Sequence, residues 1–148
     1  MTDLTKGIIE IDGFTLTPQT TLDEMLTFFG KKVRILELST GPRVKLQQPF
    51  YLCENIYAYA FNFNKDGTLN NLSLIPVYHS QMMDPPTTAR GMIAIAKEWL
   101  KKMINDVPSS ESEESICYSY GWGYIHSATR DDIHYGLVGG EINIRIGE

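Results

Sequence analysis

Residues 55–67 read Asn55-Ile56-Tyr57-Ala58-Tyr59-Ala60-Phe61-Asn62-Phe63-Asn64-Lys65-Asp66-Gly67. Aromatic residues at 57, 59, 61 and 63 alternate with aliphatic, small or polar ones. Successive side chains of a strand point to opposite faces, so a period of two predicts a strand over 55–64 with one aromatic face. Asn64-Lys65-Asp66-Gly67 then supplies a type I turn followed by a glycine in the left-handed conformation, the chemistry of a bulged hairpin. The chain returns as an antiparallel partner over 68–78. An aromatic face of this size needs a second layer to cover it, and that requirement decides the fold class.

The flanking segments supply the layer. Gly7 to Leu16 reads as a short hairpin, because Asp12-Gly13 suits a two-residue turn in which both residues need positive φ. Thr21-Leu22-Asp23-Glu24 is a capping box. Leu22, Met25, Leu26 and Phe29 follow on one helical face, and Gly30 suits the end of that helix. Val33–Leu38 and 43–53 read as strands around the turn Ser39-Thr40-Gly41-Pro42, with Pro49 predicting a bulge or an edge in the second. Pro85-Pro86-Thr87-Thr88 stops the sheet and opens a second helix. Its apolar stripe is Met92, Ile95, Ala96, Trp99, Leu100 and Met103. Lys101 and Lys102 suit its C-terminal dipole, and Asn105-Asp106-Val107-Pro108 ends it.

Ser109-Ser110-Glu111-Ser112-Glu113-Glu114-Ser115 is a polar, acidic stretch with the composition of a mobile loop. A strand is expected over 116–126, a loop through about Leu137, and a last strand over 141–146 with Ile142, Ile144 and Ile146 inward and Glu141, Asn143 and Arg145 outward. The expectation is a single α+β domain over residues 1–148. It is a two-layer sandwich in the order ββ-α-ββββ-α-ββ, with about eight mostly antiparallel strands and two helices.

Composition narrows the setting. The chain has 148 residues, 43% hydrophobic and 21% charged, which suits a self-sufficient core rather than a disordered chain. Thirteen basic and eighteen acidic residues leave a net charge of −5. That balance argues against nucleic-acid or anionic-membrane partners and, where a partner is charged, favours a basic one. Cys53 and Cys117 are the two cysteines, and the N-terminal residues do not read as a signal peptide. No apolar run approaches the ~20 residues that span a bilayer. A cytoplasmic protein with two reduced thiols is expected.

No motif specifies a catalyst. His126, Asp131, Asp132 and His134 could bind a metal or move protons, but their spacing matches no ligand pattern and suits a polar loop equally well. Cys117 has no local cation to activate it, and Glu54 beside Cys53 disfavours a thiolate; both are expected to fill the core. Gly121, Gly123, Gly136, Gly139 and Gly140 precede a strand rather than a helix, which excludes a phosphate loop of the strand–turn–helix kind. Tyr118, Tyr120, Trp122, Tyr124 and His126 alternate as one aromatic face of strand 116–126, either core or interface.

The run Phe14-Thr15-Leu16-Thr17-Pro18 through Gly30, with the strands after it, resembles small bacterial immunity-type proteins. It is also similar to the halves of β-lactamase-inhibitor-like domains. The first resemblance implies a non-enzymatic protein that binds and silences a cognate toxin. The contact residues expected from charge and aromaticity are Glu111, Glu113, Glu114, Trp122, Tyr124, Asp131, Asp132 and His134. The partner would be another protein, such as a basic toxin domain, and no cofactor or metal is expected. The alternatives are a small hydrolase or transferase using His126, Asp132 or His134, and a homo-oligomerisation module that forms a homodimer.

Overall fold

The turn at 64–67 forms as its sequence predicts in a computed structural model of the chain, which describes residues 1–81, 83–132 and 136–147. Gly67 takes φ +88° and its N–H donates to the Asn64 carbonyl at 3.0 Å. It joins β6 (Asn55–Phe63) to β7 (Leu69–Pro76) in antiparallel register, with a bulge between Asn62 and Phe63. Pro49 breaks the preceding segment into β4 (Gly41–Leu46) and β5 (Phe50–Leu52), which pair with successive parts of β6. β3 (Val33–Leu38) pairs β4 and forms one edge.

The acidic stretch is not a loop. Residues Ser110–Ser112 form β8, which turns back onto β9 (Ser115–Tyr120). Nor is 116–126 one strand. Gly121 and Trp122 make a tight turn, and β10 (Gly123–Ala128) returns antiparallel to β9. Gly123 is required at that point: its φ is +155°, and a Cβ there would lie 2.0 Å from the Arg145 carbonyl oxygen. Two short strands, β11 (Arg130–Asp132) and β12 (Gly136–Val138), pair where a loop was expected. β13 (Ile142–Ile146) then enters the sheet between β7 and β10. The nine-stranded sheet has the order β3-β4-β6-β7-β13-β10-β9-β8, with β5 also on β6, and every pair described is antiparallel.

The second layer is the one the capping signals predict. β1 (Ile9–Ile11) and β2 (Phe14–Leu16) form a hairpin whose Asp12 and Gly13 both have positive φ. α1 (Leu22–Phe29) has the full capping box at Thr21 and Glu24 and buries Met25 and Phe29. α2 (Ala89–Met103) starts at Thr88, whose hydroxyl accepts from Gly91 N–H at 3.0 Å. Its buried face is Ala89, Ile93, Ala96, Trp99 and Leu100, while Met92, Ile95 and Met103 are half-buried. Ala96, Trp99 and Leu100 of the predicted stripe are thus buried, and Ala89 and Ile93 join them.

These elements share one core with a single sheet face. Val44, Phe61, Leu72, Ile144, Ile125 and Tyr118 stand in register across β4, β6, β7, β13, β10 and β9, and all are buried. Trp99 meets Tyr57 edge to face at 5.7 Å, fixing α2 over the aromatic face of β6. The molecule is an α+β two-layer sandwich, as expected, with thirteen strands among the described residues rather than about eight, because two expected strands are each split and β8, β11 and β12 replace expected loops. No helix among the described residues is long and apolar enough to cross a membrane.

Candidate functional site

The period of two that buries one face of the sheet exposes the other, and the helices lie on only one side. The uncovered face carries two polar rungs. Arg43, Asn62, Asn71, Arg145, Tyr124 and Ser119 are successive cross-strand neighbours on β4, β6, β7, β13, β10 and β9. One step along the strands, Arg34, Lys45, Ala60, Ser73, Asn143, His126 and Cys117 form the parallel rung; both rungs begin on β3, the first at the exposed Leu36 beside Arg43. The centre of this face is a groove of about 530 Å³ lined by Arg43, Asn71, Ser73, His126, Asn143 and Arg145, among others.

Hydrogen bonds hold part of each rung. Arg43 Nη1 donates to Asn62 Oδ1 at 3.1 Å, and Asn62 Nδ2 donates to Asn71 Oδ1 at 2.6 Å. Ser73 Oγ donates to Asn143 Oδ1 at 3.1 Å, tying β7 to β13. Tyr124 and His126 meet edge to face at 5.4 Å, and His126 Nδ1 is buried with no hydrogen-bond partner among the described residues. Such a surface is pre-organised: side chains held by cross-strand neighbours lose little rotamer entropy when a ligand meets them.

Charge is sorted between the two sides. Every cation of α2 is ion-paired. Arg90 faces Glu113 and Glu114 at 3.7 Å, Lys97 and Lys101 both hold Glu111, and Lys102 holds Glu98. Lys97 Nζ also donates to the Ser112 carbonyl. Arg34, Arg43, Lys45 and Arg145 take part in no ion pair between described residues. Among the described residues lining the groove, Glu141 is the one carboxylate.

The described side chains among the expected contact residues do not form one surface. Glu111, Glu113 and Glu114 lie on the β8–β9 hairpin against α2, and the hydrogen bonds from Lys101 and then Lys97 hold the Glu111 carboxyl below the usual carboxylate range. Trp122 sits in the β9–β10 turn, where its indole N–H donates to the Thr5 carbonyl at 2.8 Å and its ring stacks on Tyr120. Tyr124 points the opposite way, onto the open face with His126, because the turn reverses the strand between them. The aromatic series therefore divides: Tyr118 is core, Tyr124 is open face. Asp131 and Asp132 contribute backbone to β11, and their side chains lie outside the described part of the structure. His134 lies outside the described residues.

Neither cysteine fills the core. Cys53 is exposed in the β5–β6 turn at φ 56°, and Cys117 is half-buried at the end of the second rung. Both are free thiols; partial desolvation of the Cys53 sulfur by its neighbours, then the Glu54 charge, pushes that thiol up. No group of His, Cys, Asp and Glu able to hold a metal occurs among the described residues.

Arg43, Asn62, Asn71, Ser73, Asn143 and Arg145 were missed as site residues. Alternation marks Asn62, Asn143 and Arg145 as facing away from the core, yet which such residues share a rung depends on pairings between distant segments. The class defined here is an α+β domain that leaves one face of a nine-stranded antiparallel sheet open. No protein-family model, curated protein or solved structure matches the chain.

Proposed function

We propose that this chain is a non-enzymatic protein-binding domain whose contact surface is the open face of the sheet. The observation behind this reading is the rung Arg43–Asn62–Asn71–Arg145–Tyr124, whose first three members are joined by hydrogen bonds. Six strands at ~4.8 Å spacing make a face roughly 24 Å wide, which suits the ~800 Å² that one partner buries in a standard interface. Arginine and tyrosine are residue types that dominate such contacts, since each combines apolar area with directional polar groups. In its more specific form, the reading is an immunity-like inhibitor that masks a cognate bacterial toxin in the cytoplasm, as the resemblance of the N-terminal half suggests.

The test is co-expression with the product of an adjacent toxin-type gene, followed by calorimetry on the purified pair. Tyr124→Ala and Asn143→Arg alter the open face without touching the core. Each is expected to weaken binding about tenfold or more. Glu113→Gln and Glu114→Gln, on the far side, should leave affinity within about twofold. Unchanged affinity in both open-face variants would sink the reading.

A further inference from the structure

The sequence favours a basic partner, because the chain is acidic and one segment is strongly so. The structure redistributes that charge. The carboxylates of Glu111, Glu113 and Glu114 are matched by Lys97, Lys101 and Arg90 of α2. The open face instead gathers Arg34, Arg43, Lys45 and Arg145, none ion-paired within the described part of the chain, against one carboxylate, Glu141, among the described residues lining its groove. Net charge sets solubility and long-range steering, whereas a contact is decided by the groups that meet.

We infer that the open face recognises an acidic segment of a partner protein, with Arg43 and Arg145 as its two carboxylate anchors; this rests on the open face being the contact surface. Both arginines lie on the same rung, separated by Asn62 and Asn71. Three strand spacings put their stems ~14 Å apart. An extended chain rises ~3.4 Å per residue, so carboxylates four positions apart, on one side of an extended segment, match that distance. Each guanidinium can take a carboxylate through two parallel N–H donors, which lysine cannot do. Asn62 Nδ2 and Asn71 Oδ1 are already joined between the arginines, so this stretch of the rung keeps its geometry when a ligand arrives.

The probe is a fluorescein-labelled peptide of about ten residues with glutamates four apart among serines, long enough to cross the two anchors. Its lysine counterpart and an oligothymidylate of similar length complete the set. Binding is followed by anisotropy and by side-chain amide NMR shifts in the intact chain. The glutamate peptide is expected to bind and to shift the amides of Asn62, Asn71 and Asn143, and the lysine peptide is not. Arg43→Glu with Arg145→Glu should weaken it about tenfold or more, while Lys31→Glu with Lys65→Glu, an equal charge change outside the groove, should cost less than about twofold.

An unchanged affinity in the arginine pair, or an equal loss in the lysine pair, overturns the anchors. If only the lysine peptide binds and it shifts the same amides, the acidic-segment inference fails while the contact surface stands. Should the glutamate peptide shift resonances of α2 instead, both fail. Tighter binding of oligothymidylate through Arg43 and Arg145 assigns the face to nucleic acid and overturns the protein partner.

Discussion

Tyr57 and Tyr59 bury their hydroxyls in the aromatic face of β6 with no hydrogen-bond partner among the described residues. Burial drives both phenols well above the ordinary tyrosine range, with neighbouring groups adding to it. A buried polar group without a partner is a net cost, while an apolar group of the same shape removes it. Tyr59→Phe keeps the ring that stacks on Phe61 and deletes only the hydroxyl. The variant is expected to lie between neutral and about 1 kcal/mol more stable than the parent, read from its urea midpoint at unchanged slope. A loss of about 1 kcal/mol or more would mean that the hydroxyl has a partner after all. Trp122 is the opposite case: its one polar atom donates to Thr5, so the ring anchors the N-terminal segment through a defined bond.

The β8–β9 hairpin and α2 form an element-scale clasp. Glu111 accepts from Lys101 at 2.9 Å and approaches Lys97 at 3.1 Å. These contacts depress its folded pKa, so its contribution is complete above the ordinary glutamate value of 4.5 and is lost as pH falls from there through the lower folded value. The pair is partly exposed and solvent screens it, so Glu111→Gln is expected to cost less than about 1 kcal/mol at neutral pH. The variant should also lose stability less steeply than the parent as urea midpoints are taken below pH 4.5. Parallel curves would remove the clasp from the account. This element also shows where sequence was legible. The capping box at Thr21 and the turn at 64–67 are local, a few residues each, and both formed as read. The acidic stretch has the composition of a loop, and its strand pairs with β9 while distant Lys97 and Lys101 hold Glu111. The Gly121-Trp122 turn was hidden because aromatics continue the period of two straight through it.

Across the whole molecule, the sheet is completed from the far end of the chain. β13 lies between β7 and β10, so the last strand is an internal member of the sheet. It joins the half built from residues before α2 to the half built after it. The open-face rungs cross this junction, and Asn143 and Arg145 sit on it. That is why no local pattern in the sequence announced the site. Removing residues 141–148 would strip Ile142 and Ile144, both buried, from the core and leave two unpaired strand edges at its centre. Each buried isoleucine is worth roughly 1.5–3 kcal/mol in transfer alone, against a total stability of about 5–15 kcal/mol for a typical domain. The ladder bonds of two neighbouring strands are lost with them. The truncated chain is expected to lack dispersed amide NMR resonances and cooperative unfolding. Adding a synthetic peptide of residues 139–148 should restore both, since the missing strand supplies the same hydrogen bonds and the same buried side chains. A truncated chain that unfolds cooperatively without the peptide would show that the two halves of the sheet hold together through α2 and the core alone.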